Sequence, residues 1–190
     1  MSGLGVATVD RVLNGRPGVR NQTRERVYAA LQKLQHSAEA EELRRIALIC
    51  ESGTTFNTAI ADAASLVNRS VPSVSVFGTY SETSKFDPQS LAGKIFEAGE
   101  NSDGLILTAR EHPAINNAVR TVRKSGLPVV CLTTDLPSSR RNIYIGNDQY
   151  AAGSVAAQLI GQALPDTKQD NLIVMSVPFR CQQEREMGFR

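Results

Sequence analysis

Short apolar runs alternate with longer amphipathic segments over most of the chain. From residue 45 onward the apolar runs recur roughly every 25–30 residues, which is the spacing of β-α-β units. Six runs predict strands, at 44–50, 71–78, 103–109, 127–134, 143–146 and 171–177. The segments between them predict helices at 58–69, 87–100, 113–126 and 148–164. This pattern indicates an α/β fold with a doubly wound, mainly parallel sheet, in the strand order 2-1-3-4-5-6 or a close relative.

The first 35 residues have a different, purely helical pattern. Apolar side chains at helical spacing predict one helix over residues 6–14 and a second that ends near residue 34. The Gly- and Pro-containing segment 15–19 predicts a turn between them. Either Arg20 or Asn21 is the expected N-cap of the second helix, and Asn21 is the better residue for that role. Residues 36–44 are polar and rich in Ala and Glu, so they continue this helix or form a linker. We therefore divide the chain into a head (1–35), a linker (36–44) and an α/β unit (45–190).

Polar residues follow the predicted strands at the edge where ligands bind in parallel sheets. The segment 51–57 follows the first strand, Thr108 to Arg110 follow the third, and Thr133 to Asp135 follow the fourth. Asn147 and Asp148 follow the fifth strand, and Phe179, Arg180 and Arg185 come after the sixth. Hydroxyls, amides, carboxylates, arginines and an aromatic ring together are typical of a site for a polyol, because the ring covers the apolar face of a sugar.

The charge is distributed unevenly between these parts. The whole chain has a formal net charge of +2, but residues 1–35 contain six basic and two acidic residues, so the remainder is slightly acidic. A small basic head on an acidic body favours contact between the head and a polyanion. No apolar run approaches the roughly 20 residues that cross a bilayer, and the start of the chain lacks the apolar stretch of a signal peptide. We therefore expect a cytoplasmic protein with no membrane partner.

No catalytic, metal-binding or nucleotide-binding motif is evident. The chain contains no GxGxxG after the first strand, no GxxxxGK[ST] and no GxSxG. Its two histidines, His36 and His112, are expected to be solvated, and the three cysteines are too far apart in sequence for a metal cluster. We expect no enzyme activity, no cofactor and no metal, with Cys50, Cys131 and Cys181 as buried free thiols.

Several motifs resemble one family of bacterial regulators. The segment VATVDRVLNGRPGVRNQTRERVYAAL is similar to the helix-turn-helix of Lac-repressor-type (LacI/GalR) transcription regulators. YIGNDQYAAG and the REMGF at residues 185–189 resemble motifs in the sensor of the same family. The resemblance covers nearly the whole chain. It implies a partial helix-turn-helix head followed by the N-terminal lobe of a periplasmic-binding-protein-like fold.

The resemblance also implies two sets of site residues. The helix that begins at Val6 would enter the major groove of operator DNA, with Arg11 as the candidate for a bidentate guanine contact. The implied DNA-binding residues are Val6, Ala7, Thr8, Arg11, Asn14, Thr23 and Arg24. The implied effector-binding residues are Phe56, Asn57, Thr133, Asp135, Asp148 and Arg185. The expected function is that of a transcription regulator, as a repressor, controlled by a small-molecule effector such as a sugar and acting as a homodimer.

The chain departs from the family pattern in three places. Its first residues do not match the first helix of the family's helix-turn-helix, and the linker carries Glu39, Glu41 and Glu42 where the family has a Pro-Asn and a hinge helix. The chain also ends where the family enters its second lobe. We therefore expect a fragment that binds operator DNA weakly, and sugars at millimolar concentrations or above. The alternative is a solute-binding protein of the periplasmic type that does not bind DNA.

Overall fold

The computed structural model describes residues 4–39, 43–164 and 171–190, with the side chains of 32–39 excepted. The chain divides into two compact units, Met1–Leu43 and Arg44–Arg190. The second unit therefore begins one residue before the position expected from the sequence. Each unit is described by itself.

The N-terminal unit consists of two helices joined by a turn. Helix α1 spans Val6–Leu13 and helix α2 spans Asn21–Glu39. Gly15 and Gly18 in the turn have φ values of 64° and 95°, which side chains with a Cβ rarely adopt. Because α2 begins at Asn21, the preceding Arg20 takes the N-cap position, for which the sequence favoured Asn21. Helix α2 continues into the predicted linker as far as Glu39, and residues 40–42 of the linker lie outside the described part.

Five parallel strands form the sheet of the second unit, in the order β2-β1-β3-β4-β5. This order confirms the predicted topology for the first five strands. The strands are β1 (Arg44–Ser52), β2 (Val74–Glu82), β3 (Gly104–Thr108), β4 (Val129–Leu132) and β5 (Ile143–Ile145).

The helices between the strands begin and end within two residues of their predicted bounds, except that α3 begins at Thr54, four residues before the predicted start. Asp87 accepts a hydrogen bond from the Gln89 amide at the start of α4, with Pro88 as the first helical residue. Gly126 follows α5 with a φ of 99°, as expected of a residue that ends a helix. The helices are α3 (Thr54–Ser70), α4 (Pro88–Asn101), α5 (Pro113–Lys124), α6 (Gln149–Ala163) and α7 (Arg180–Phe189).

The prediction of a sixth strand is wrong. Residues 171–177 form no strand, and Leu172 and Val174 are 89% and 80% exposed. An apolar run becomes a strand only where a neighbouring strand accepts its backbone hydrogen bonds, and none of the described strands pairs with this segment. Helix α7, which follows it, was not predicted, because its sequence RCQQEREMGF buries one side chain, Cys181, and has little apolar periodicity.

The core lies between one face of the sheet and helices α4 and α5. Ile95 from α4 and Ile115 and Val119 from α5 are fully buried against Leu107 of β3 and Cys131 of β4. This packing fixes the carboxyl ends of β1, β3 and β4, from which the side chains of the candidate site project.

All three cysteines are buried free thiols, as the sequence predicts. The pKa of Cys50 is raised to about 11, chiefly by burial; a hydrogen bond with Thr108 offsets part of this increase, and the neighbouring Glu51 carboxylate adds to it. Burial likewise raises the pKa of Cys131 to about 11. Both thiols are thus strongly biased towards the protonated form.

We expect iodoacetamide to modify Cys50 and Cys131 at pH 8 at least about a hundredfold more slowly in the folded protein than in urea, because so little thiolate forms. Peptide mass spectrometry after timed quenching would measure both rates. A thiol whose pKa is higher in the folded state stabilises the fold below its unfolded pKa. Stability should therefore fall as the pH rises from about 9 towards 11. Labelling of Cys50 and Cys131 in the folded protein at the rate measured in urea would contradict the prediction of slow modification.

Candidate functional site

An open cleft of about 640 Å³ lies at the carboxyl ends of β1, β3 and β4. The start of α3, the segment after β2 and the beginning of α7 complete its walls. Serine and threonine are the commonest residues in its lining. The lining also contains two arginines and two aromatic residues. The lining residues are Ser52, Gly53, Phe56, Thr83, Ser84, Thr108, Arg110, Thr133, Thr134, Ser176, Val177, Pro178, Phe179, Cys181, Gln182 and Arg185.

Three of the six predicted effector-binding residues meet in this cleft: Phe56, Thr133 and Arg185. Thr133 has a φ of 69°, which is rare for a β-branched residue. Its amide donates to the Ile145 carbonyl (2.8 Å), and its own carbonyl accepts from the Tyr144 hydroxyl (3.1 Å). Such strain persists only where the surroundings enforce it, and it is concentrated at functional sites.

The other three predicted residues do not line the cleft. The Asn57 amide donates to the carbonyls of Ser52 (3.1 Å) and Ser81 (3.0 Å), and so ties the ends of β1 and β2 together. Both Asp135 oxygens accept from Arg141, each at 2.7 Å.

The third of these, Asp148, is a helix cap. Its carboxylate accepts from the Ala151 amide (2.8 Å) at the start of α6. Because these three side chains serve the fold, their assignment to the effector has no support from the geometry.

Arg185 is positioned by a close contact between α6 and α7. Its guanidinium donates twice to the side-chain oxygen of Gln149, with Nε at 3.1 Å. Gly153 of α6 lies against the backbone of α7 at Arg185, and Gly188 of α7 lies against the backbone of α6 at Tyr150. The hydroxyl of Ser154 donates to the Gly188 carbonyl (2.9 Å) at the same crossing. The two glycines therefore determine how far Arg185 reaches into the cleft.

One arginine of the cleft, Arg110, belongs to a buried ion pair with Glu51, which does not itself line the cleft. The Glu51 carboxylate, at the end of β1, accepts from Nε (2.7 Å) and Nη2 of Arg110, at the end of β3. Arg110 also donates to the Thr83 carbonyl (3.0 Å), and its guanidinium lies 3.9 Å from the ring centre of Phe86 and 5.7 Å from that of Phe179. Glu51 and Arg110 both stand at the predicted edge, but the sequence analysis assigned neither a role. The sequence did contain a signal for this pair: Glu51 is a carboxylate at the end of a buried strand, and a buried carboxylate requires a cation as its partner.

In the N-terminal unit, α1 exposes one side. Val6 (86% exposed), Ala7 and Arg11 lie within about 140° of one another around the helix axis, while Val12 on the opposite side is buried. Asp10 falls on the exposed side and pairs with Arg16 (3.3 Å).

The remaining predicted DNA contacts are partly engaged within this unit. The Asn14 amide donates to the Asp10 carboxylate (2.7 Å), and Arg24 donates to the Arg16 carbonyl (3.4 Å). Thr8 and Thr23 are half-buried. Arg11 is thus an exposed cation for which the structure shows no partner in the described residues.

Two family models match the sequence, one in each unit. The model described as the periplasmic binding protein domain matches residues 95–190, just over half of the chain. The chain belongs to this family. A second model, described as bacterial regulatory proteins of the lacI family, matches residues 1–38. The periplasmic binding protein domain is thus preceded in this chain by a lacI-type segment. No curated protein matches the sequence.

Solved structures share the fold of this periplasmic binding protein domain. GanP, a glucose-galactose binding protein from Geobacillus stearothermophilus, is 21% identical with a TM-score of 0.67, over 78% of this chain and 52% of its own. A solute-binding protein of an ABC transporter from Burkholderia graminis C4D1M, in complex with D-arabinose, is 20% identical with a TM-score of 0.68, over 78% and 51%. The transcriptional regulator CelR, in complex with cellobiose, is 21% identical with a TM-score of 0.53, over 100% and 57%. The chain thus spans about half the length of these structures.

The described residues show neither a membrane-spanning helix nor a metal-binding cluster. Within the described ranges, no helix is long and apolar enough to cross a membrane. The same residues contain no group of three or more His, Cys, Asp or Glu side chains placed to hold a metal ion.

Proposed function

We propose that the chain is part of a transcription regulator whose lacI-type head binds DNA and whose periplasmic binding protein domain binds a small polyol effector. The observation that carries this proposal is the presence of both matches in one chain, at residues 1–38 and 95–190. CelR, which aligns over the whole of this chain, is itself a transcriptional regulator. We extend the proposal to a homodimer, because regulators of this type read two half-sites with two heads. We also propose that the protein is cytoplasmic and has no catalytic activity. Repression is the mode of action we propose.

The effector half of the proposal is supported by the cleft. It is open and contains Phe56 as an aromatic wall, with hydroxyl donors and acceptors around it. The solved structures that share the fold include a glucose-galactose binding protein and complexes with arabinose and cellobiose. The same likeness supports the alternative of a solute-binding protein, which would bind the ligand without binding DNA.

The DNA half is supported by the exposed side of α1. Arg11 extends from it with no ionic partner in the described residues, as a groove-reading arginine requires. Asp10 lies on the same side, and its negative charge opposes the approach of phosphates, although Arg16 partly neutralises it. The two neighbouring residues should therefore affect DNA binding in opposite directions.

We expect Arg11→Ala to weaken binding of the full chain to its selected duplex by about 1–3 kcal/mol, and Asp10→Asn to strengthen it several-fold. The duplex would be selected from a random library at about 50 mM KCl, where phosphate contacts are strong. Fluorescence anisotropy at two salt concentrations would then give the affinities. Asp10→Asn should also strengthen binding to unrelated duplexes, whereas Arg11→Ala should act mainly on the selected sequence.

Arg69→Ala, an exposed arginine on α3 in the other unit, is the matched control and should change neither affinity. Failure of the library to yield an enriched sequence, together with ligand binding in the cleft, would favour the solute-binding alternative. Equal losses for Arg11→Ala and Arg69→Ala would remove the assigned role of α1.

A further inference from the structure

The charges that line the cleft are of one sign. No Asp or Glu occurs among its described lining residues, whereas Arg110 and Arg185 do. The two carboxylates that the sequence analysis expected here, Asp135 and Asp148, are bound to Arg141 and to the α6 backbone instead. A neutral sugar presents hydroxyl protons that need strong acceptors, and carboxylates are the usual ones. In this cleft the described lining side chains offer hydroxyl groups and arginine donors, but no carboxylate.

The two arginines differ in how their charge is compensated. Arg110 is paired with the buried carboxylate of Glu51, so the two together are neutral. Arg185 donates to the side-chain oxygen of Gln149, which is neutral and 4% exposed. Among the described residues no carboxylate lies within 4.0 Å of the Arg185 guanidinium, although Arg180 at the start of α7 and Arg190 directly after its end both pair with glutamates. Arg185 therefore brings an uncompensated positive charge to the cleft.

Two helix N-termini add to this positive potential. Helices α3 and α7 begin directly after Gly53 and Phe179, which line the cleft. Neither of these N-cap residues accepts a side-chain hydrogen bond from its helix, and in the first turn of α7 the Thr134 hydroxyl accepts from the Cys181 amide (3.4 Å). Helices α4, α5 and α6 begin elsewhere, and each is capped by its own side chain. Uncapped first-turn amides carry partial positive charge and favour an anion. The starts of α3 and α7 thus line the same cleft as Arg185.

We propose that the effector is an anionic polyol, a sugar that carries a phosphate or carboxylate group, and that Arg185 binds the anionic group. This assignment rests on the ligand-binding half of the proposed function. Phe56 covers the apolar face of the sugar ring, and the hydroxyls around the cleft bind the rest of the polyol. The anion accepts charge-assisted hydrogen bonds from the guanidinium, while Gln149 holds the guanidinium in place.

Isothermal titration calorimetry on the full chain would compare matched ligands: glucose with glucose 6-phosphate, and galactose with galacturonate. Inorganic phosphate alone serves as the third probe. We expect at least one anionic ligand to bind about tenfold or more tightly than its neutral counterpart, and inorganic phosphate to bind more weakly than that ligand. Raising KCl from about 50 to 300 mM should weaken the binding of the anionic ligand and leave the affinity for the neutral ligand unchanged.

Variants of Arg185 test whether the preference for the anionic ligand depends on this side chain. Arg185→Gln should reduce the ratio between the anionic and neutral affinities to about one, and Arg185→Lys should retain most of it. Arg190→Gln, at the residue that follows α7 and pairs with Glu186, is the matched control and should leave the ratio unchanged. The salt dependence of the unmodified chain provides a second measurement that does not depend on the folding of any variant.

Three results would overturn the assignment while leaving a ligand-binding sensor in place. These are equal or tighter binding of the neutral sugars, persistence of the ratio in Arg185→Gln, and binding of inorganic phosphate as tight as that of the sugar phosphate. Absence of binding by every probe would overturn both this assignment and the ligand half of the proposed function. The DNA half would still be measured separately by anisotropy.

Discussion

Arg110→Met should destabilise the α/β unit by about 3–5 kcal/mol, the largest loss that we expect from any single substitution here. The Glu51 side chain is 1% exposed and that of Arg110 is 18% exposed, so water cannot replace the lost partner. Removing Arg110 leaves a carboxylate buried without a cation, and it also removes the hydrogen bond to Thr83 and the stacking on Phe86. Urea unfolding followed by circular dichroism would measure the change.

The double variant Glu51→Leu/Arg110→Met separates charge from packing. Replacing both partners of a buried pair by apolar groups often costs little, so we expect this variant to regain most of the lost stability. Lys85→Met is the matched control, because Lys85 pairs with Glu82 at the surface and the loss should be below about 1 kcal/mol. A double variant as unstable as Arg110→Met would mean that packing, and not the stranded charge, accounts for the loss.

The sheet could be predicted because its strands are buried, bounded by turn residues and separated by helices with clear ends. Asp87, Pro88 and Gly126 are at the helix termini where their backbone chemistry places them. The segment 171–177 has the same apolar character as the other five runs and still forms no strand. Apolar pattern reports that a segment avoids water, but it does not report whether a neighbouring strand is available for pairing.

The site was predicted only in part, for a reason that concerns carboxylates. Phe56 and Thr133 line the cleft because they follow the predicted strands β1 and β4, whereas Arg185 lines it from α7, a helix that was not predicted. Asp148 stands at the start of a predicted helix, as Asp87 does, and in the structure both carboxylates are N-caps. The capture of Asp135 by Arg141, six residues later, depends on the path of an irregular segment.

The close contact between α6 and α7 was not predicted, because a glycine inside a helix has several explanations. Gly153, Gly161 and Gly188 look alike in the sequence. In the structure, a Cβ at Gly153 or Gly188 would overlap the backbone of the facing helix, whereas a Cβ at Gly161 would meet nothing within 4 Å. This difference gives a pair of substitutions that are chemically identical and structurally opposite.

Gly153→Ala should therefore destabilise the unit by about 1–3 kcal/mol, because its methyl group would meet the backbone carbonyl of Arg185 and the amide of Phe189, which cannot rotate away. The helices would have to separate, which would break the hydrogen bond between Ser154 and Gly188 and shift Arg185 relative to Gln149. Ligand binding in the cleft should then weaken together with stability. Hydrogen exchange should show reduced protection of the α7 amides.

Gly161→Ala on the same helix should instead stabilise the unit by about 0.5–1 kcal/mol, because it restricts the unfolded chain without a clash. It should leave ligand affinity and the protection of α7 unchanged. The decisive comparison is between these two variants, measured by urea unfolding and by exchange in the same buffer. If both glycines tolerate alanine equally, the crossing of α6 and α7 does not position Arg185, and the arginine must be held by Gln149 alone.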